Sequence, residues 1–262
     1  MKKKKNNKKD IIKIIFISLL IVAVLTLIVF LGIQYYLKIN YKAVNAIATI
    51  EVENYGTMKV ELYTEKAPNT VKNFIALANN GFYNGLTFHR IIESFMIQGG
   101  DINGDGTGVP TLSSIDKNIE KDSEEDIEYN INGEFILNGF EENDLILKKG
   151  VIAMARGDYS QYASYYPSLV TEGYNSQGSQ FFIMTTDDNV NLTGSYTGFG
   201  KVIEGLDVLE KIAATEIIKN EDENSTDEES TPVNPPVIKS ITVETFGQTY
   251  DLPETHKAFS LY

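Results

Sequence analysis

The chain has 262 residues, 42% of them hydrophobic and 11% aromatic, with no cysteine and a formal charge of −13. That is enough for one anchor and one domain with a sizeable core, and the missing cysteines exclude disulfides, thiolate nucleophiles, cysteine metal sites and lipid attachment through an N-terminal cysteine. Seven lysines and one aspartate fall in residues 1–13, so of the chain's 23 basic and 36 acidic residues 16 and 35 are left for the rest, a balance that would repel phosphate backbones and argues against nucleic acid as a partner.

Residues 1–13 read as a basic head containing Lys2, Lys3, Lys4, Lys5, Lys8 and Lys9. Residues 14–33 then run without a charge, interrupted only by Ser18 and Thr26. At about 1.5 Å per residue this run spans roughly 30 Å, the hydrocarbon thickness of a bilayer. Gln34, Tyr35, Tyr36 and Lys38 suit the far interface, so 14–36 is expected to be a single transmembrane anchor. The lysines ahead of it place the N-terminus in the cytoplasm and the rest of the chain outside the cell membrane. A cleaved signal peptide is the competing reading. Ala46-Ile47-Ala48 has the small-x-small pattern, although it lies well beyond an apolar run that is long for a signal.

Residues 37–46 read as a tether, and strands follow at once. Ile50 and Val52 alternate with Glu51 and Glu53, Asn54-Tyr55-Gly56 supplies a turn, and Met58, Val60 and Leu62 alternate again, the pattern of an antiparallel hairpin. Pro68 opens a helix with Val71, Phe74, Ile75 and Ala78 on one stripe and Gly81 just past its end. Residues 86–98 predict one or two strands, and 151–156, 181–185 and 238–243 one each. A second helix is expected over 206–214, with Leu206, Leu209, Ile212 and Ala213 facing inward. Three segments read as insertions: 109–130 (polar and acidic), 159–174 (rich in tyrosine) and 219–236 (acidic, then rich in proline). Residues 249–262 form a tail without a pattern. Many short strands with two isolated helices predict a β-barrel with helical caps over 47–248.

The motifs make the expectation specific. Phe88-His89-Arg90-Ile91-Ile92 and Phe95-Met96-Ile97-Gln98-Gly99-Gly100-Asp101 are followed in order by Gly150-Val151-Ile152-Ala153-Met154-Ala155-Arg156, Gly178-Ser179-Gln180-Phe181-Phe182-Ile183 and Phe199-Gly200-Lys201-Val202-Ile203-Glu204-Gly205. Together they resemble the cyclophilin signature, and Ala67-Pro68-Asn69-Thr70-Val71-Lys72-Asn73-Phe74 resembles that family's first helix. The resemblance covers roughly 47–246 apart from the insertions. It implies a mainly β fold, a closed eight-stranded antiparallel barrel capped by two helices. It also implies a peptidyl-prolyl cis/trans isomerase acting on Xaa-Pro bonds of unfolded or partly folded polypeptides, working as a monomer without metal or cofactor.

By the same resemblance Arg90 is the catalytic arginine. Phe95, Met96, Phe182 and Leu192 form an apolar floor for the proline, Gln98 and Gln180 orient the peptide backbone, and Ala155 and Arg156 line the groove. Two positions depart from the family's usual residues: Tyr196 stands where histidine is common, and Asn191 where tryptophan is common. The competing reading is a non-catalytic proline-peptide-binding or chaperone module, from which Arg90 separates the enzyme because binding alone does not need it. Tyr162, Tyr165 and Tyr166 are candidates to extend the groove.

Other signals are set aside. The stretch from Asp101 to Gly106 imitates a calcium loop, but Leu112 stands where the closing glutamate should be. Ser179 lies outside any G-x-S-x-G elbow, and His89 has no proton to abstract in an isomerisation.

Overall fold

The computed structural model describes residues 7–40, 44–188, 190–219 and 229–259; parts of the basic head and of the expected tether, third insertion and tail lie outside them. The chain divides into two compact units, Met1–Val44 and Asn45–Tyr262.

The first unit is one helix, α1 (Asn7–Asn40). Its 27-residue stretch Asp10–Tyr36 is long and apolar enough to cross a membrane, with a mean hydropathy of 3.3 over an 18-residue window. The two hydroxyls inside the apolar run bond back to the helix itself, Ser18 Oγ to Ile15 O at 2.9 Å and Thr26 Oγ1 to Ala23 O at 2.8 Å. Hydroxyls satisfied in this way add little cost in hydrocarbon.

The second unit is built on an eight-stranded antiparallel sheet. Its strands are β1 (Ile47–Val52), β2 (Gly56–Leu62), β3 (Phe88–Ile92), β4 (Met96–Gly99), β6 (Val151–Met154), β7 (Phe181–Met184), β8 (Gly198–Glu204) and β9 (Ile238–Glu244), in the order β3-β4-β7-β6-β8-β2-β1-β9. The two edges meet. Phe88 N donates to Pro236 O at 2.9 Å, Ile238 N to Leu86 O at 2.7 Å, and Thr87 and Val237 form an antiparallel bridge. These contacts join the ends of the two edge strands of the curled sheet and pair their backbone groups there.

Alternation explains which residues fill the barrel. Ala48, Ile50 and Val52 of β1 and Met58, Val60 and Leu62 of β2 point inward. In β6 and β7 all four positions are buried, because both faces are covered. Ile152, Met154, Phe181 and Ile183 join the barrel core, while Val151, Ala153, Phe182 and Met184 join a smaller apolar cluster on the outer face. That double burial is why these strands read as unbroken apolar runs.

Two helices cover the core. α2 (Pro68–Asn79) buries Val71, Phe74, Ile75, Leu77 and Ala78, and the chain leaves it through Gly81 at φ +73°. α4 (Leu206–Ala213) buries Val208, Leu209, Ile212 and Ala213. Its inward face therefore includes Val208 rather than the expected Leu206, which sits exposed at the first turn. Three short elements went unsignalled. α3 (Pro167–Tyr174) lies inside the tyrosine-rich insertion, and the strands β5 (Tyr129–Asn130) and β10 (His256–Lys257) pair as a separate two-stranded sheet. The first insertion ends in the core, where the wholly buried Tyr129 donates its hydroxyl to Asn73 Oδ1 at 2.7 Å.

α2 has no local side-chain cap, since Ala67 precedes it. Its open N–H groups are met from elsewhere in the chain. Glu134 accepts from Asn69 N at 2.9 Å, from Thr70 N at 2.8 Å and from Thr70 Oγ1 at 2.7 Å. Burial pushes the Glu134 carboxyl pKa up, against the hydrogen bonds that pull it down. The expected outcome for Glu134→Gln is a loss of about 1–3 kcal/mol, because the new amide N–H groups would face the Thr70 donors. Urea unfolding of the full chain in detergent reads this loss, and an unchanged midpoint would dismiss the remote cap.

Candidate active site

Four strands carry one row of side chains across the outer face of the barrel. Arg90 lies opposite Gln98, Gln98 opposite Phe182, and Phe182 opposite Ala153. A β-bulge between Phe88 and Arg90 makes the row possible. Strict alternation would send residues 88 and 90 to the same side, whereas the extra residue lets Phe88 enter the core while Arg90 faces out. His89, at the bulge, is buried, and burial lowers its pKa. It does not line the site.

A pocket of about 190 Å³ stands over this row, lined by Arg90, Phe95, Met96, Gln98, Ala155, Arg156, Phe182, Leu192 and Tyr196. The structure thus brings together nine of the ten residues that the resemblance implied. The tenth, Gln180, stands behind Gln98 and faces a neighbouring cavity. Asn191 is exposed and lines neither space.

The floor is apolar and rigid. Met96 and Phe182 are almost wholly buried, and the Phe182 ring meets Tyr196 edge-on at 5.4 Å and 88°. The polar side is an ordered relay. Arg90 Nη1 contacts Met96 Sδ at 3.6 Å and donates to Gln98 Oε1 at 3.3 Å. Gln98 Nε2 donates to Gln180 Oε1 at 3.0 Å, and Gln180 Nε2 to the carbonyls of Gly106 and Gly108 at 3.0 and 3.1 Å. Arginine can only donate and carbonyls can only accept, so each amide in the relay has one consistent orientation.

The loop that ends the relay is shaped by Asp101. Its buried carboxylate accepts from the backbone N–H groups of Asn103, Asp105 and Gly106. This accounts for the aspartate that imitates a calcium loop. Gly100 is needed beside it, at φ +81°, where a Cβ would come within 2.6 Å of Ser179 O.

Arg156 has a different task from Arg90. Its guanidinium lies over Tyr196 at 4.5 Å, Tyr174 at 4.9 Å and Phe135 at 5.7 Å. Nε donates to Ser195 O at 3.0 Å and Nη1 to Gly157 O at 2.9 Å. It braces the segment that presents Leu192 and Tyr196, by cation–π contact and by hydrogen bonds. Sequence reading missed Phe135 and Tyr174, which lie far from Arg156 along the chain and belong to no motif.

Fold and pocket together define a class: a filled antiparallel barrel that carries its candidate site on the outer face rather than in a lumen. Residues 47–243 match the family described as cyclophilin type peptidyl-prolyl cis-trans isomerase. The chain belongs to that family. A peptidyl-prolyl cis-trans isomerase of Helicobacter pylori is 36% identical over 188 residues, covering 71% of this chain and 91% of that one. Peptidyl-prolyl cis-trans isomerase 9 of Schizosaccharomyces pombe is 33% identical over 188 residues, which are 72% of this chain but 24% of the relative, so the chain spans about a quarter of that protein's length. The crystal structure of a Cryptosporidium parvum cyclophilin-type isomerase superposes with a TM-score of 0.54 at 27% identity, covering 76% of this chain and 97% of that one.

Proposed function

We propose that this protein is a peptidyl-prolyl cis/trans isomerase tethered to the cell membrane by α1, acting on Xaa-Pro bonds of exported polypeptides as they fold outside. The observation that carries the reading is the Arg90 guanidinium, fixed by Gln98 at the mouth of a pocket floored by Met96 and Phe182. Rotation about a peptide bond is slow because resonance opposes it, with a barrier of about 18–20 kcal/mol. The isomerisation breaks no bond and needs only a surface that favours the twisted amide. Seating the proline ring on the floor holds one side of the bond. The twisted nitrogen loses conjugation and gains basicity, and a preoriented guanidinium donor stabilises it there more than in the planar ground state. A cyclophilin-type isomerase from Cryptosporidium parvum, 27% identical, has been solved in the presence of the dipeptide Ala-Pro, which supports the same class of ligand here.

The uncleaved anchor is supported by the start of the barrel. Ala46 is wholly buried and its carbonyl accepts from Leu62 N at 2.8 Å, while Ile47 and Ala48 already pair with β2 and β9. Cleavage at Ala46-Ile47-Ala48 would cut into β1. The lysine-rich head favours a cytoplasmic N-terminus and an external domain.

The test is a proline-peptide isomerisation assay on the full chain in detergent. Acceleration over the uncatalysed rate is the expected result. Peptide binding without acceleration would sink the catalytic reading and favour a proline-peptide-binding module.

A further inference from the structure

We propose that the proline pocket of one copy takes the Tyr166-Pro167 segment of a second copy, so that crowded copies cover one another's sites until a client displaces them. The inference rests on the isomerase reading of the pocket and names a partner for it.

Tyr162, Tyr165 and Tyr166, the expected groove extenders, do not line the groove of their own chain. They face solvent instead. Residues 164–168 are all exposed, with Tyr165 at 82% and Tyr166 at 62%. Adjacent aromatics left in water at this level mark a contact surface. They also lead directly into a proline. Of the chain's seven prolines, only Pro167 and Pro235 are exposed. Pro235 is followed by the buried Pro236, whose carbonyl accepts from Phe88 N at 2.9 Å, so the edge of the sheet pins that site. Pro167 instead opens α3 within the tyrosine-rich insertion.

Local structure gives the segment the form of a ligand. Tyr165 N and Tyr166 N both donate to Tyr162 O, at 3.0 and 2.8 Å, which orders the turn ahead of the proline. Tyr166 itself lies off the helix, at φ −136° and ψ 75°. Pro167 sits in the first turn of α3, where its missing N–H leaves no helical bond to break. A segment ordered in advance loses less freedom when it docks.

Charge favours the same pairing. Residues 159–171 carry no charge, whereas residues 14–262 hold 35 acidic and 16 basic residues. The pocket is lined by two arginines, Arg90 and Arg156, and by no carboxylate. Its cationic rim therefore attracts an acidic second copy. The uncharged segment is a part of that copy that reaches the apolar floor without burying an ion. The reading of α1 as an anchor confines all copies to one surface, where they meet more often.

The experiment uses the full chain in detergent and a fluorescent proline peptide as probe of the pocket. A synthetic peptide of residues 161–171 is expected to displace the probe. Its Pro167→Ala form should do so about tenfold less well, the effect of taking two methylenes from an apolar floor. In the chain itself, the probe's apparent affinity should weaken at least about threefold as wild-type protein is concentrated. It should stay constant for Pro167→Ala, while Pro235→Ala behaves as the wild type. Failure of the peptide to displace the probe, or equal concentration dependence in wild type and Pro167→Ala, would overturn the proposal. Every readout is of binding. Absent isomerisation of the probe would therefore count against the catalytic reading, while the contact between copies stands or falls on displacement.

Discussion

Arg90→Ala is expected to lower kcat/KM of the full chain for a proline peptide at least tenfold, about 1.4 kcal/mol or more of transition-state stabilisation. The loss should fall mainly on kcat, because the apolar floor of Met96, Phe182 and Leu192 survives the substitution and continues to hold the ring. Arg90→Lys should recover little. Lysine carries its charge on a flexible stem as a compact ammonium, whereas Arg90 is a planar fork whose direction is set by Gln98 Oε1 and, through Gln98, by Gln180 and the 106–108 loop. Equal rates for Arg90→Ala and the wild type would refute the role given to the guanidinium. A rise in KM with kcat untouched would make it a binding group only.

Phe74→Ala is expected to destabilise the barrel unit by about 3–5 kcal/mol, the cost of emptying a large aromatic from a packed core. Phe74 is wholly buried at the inner face of α2. Its ring lies 5.2 Å from Tyr83, 5.2 Å from Phe199 and 5.8 Å from Phe181, the last nearly edge-on at 81°. These partners come from separate stretches of chain, so no single side-chain movement can refill the space. Phe181 faces the core and its neighbour Phe182 faces the pocket, so loosening one should disturb the other, and weaker peptide binding at temperatures below unfolding is expected as well. Chemical unfolding of the full chain in detergent measures the stability term. A loss under about 1 kcal/mol would show that the cluster collapses onto the gap.

Several features are legible in the sequence because they are local. The uncharged run in α1 and the two-residue alternation of β1 and β2 are properties of neighbouring residues, and so is the apolar stripe of α2. The ordered motifs identified the site residues because each spans one strand and its turn. The boundaries at which reading failed are also physical. α3 is eight residues long and contains Gly173, and β10 is two residues long, so both are too short for a period to establish itself. Leu206 matched the expected apolar stripe of α4, yet its place in the first turn leaves it exposed.

The amino-acid sequence by itself determined the apolar span, the strand-rich class and the residue types from which a proline pocket could be made. Tertiary structure alone decided that the pocket lies on the outside of a filled barrel. It also decided that a bulge turns Arg90 away from Phe88, that Gln98 meets Gln180 across 82 residues of chain, and that Glu134 closes a helix 64 residues away. The reason is one of range. Periodicity and turn chemistry act over a few residues, whereas a hydrogen-bond relay, a stacked guanidinium or a remote helix cap exists only once distant strands have paired and brought those groups within a few ångströms.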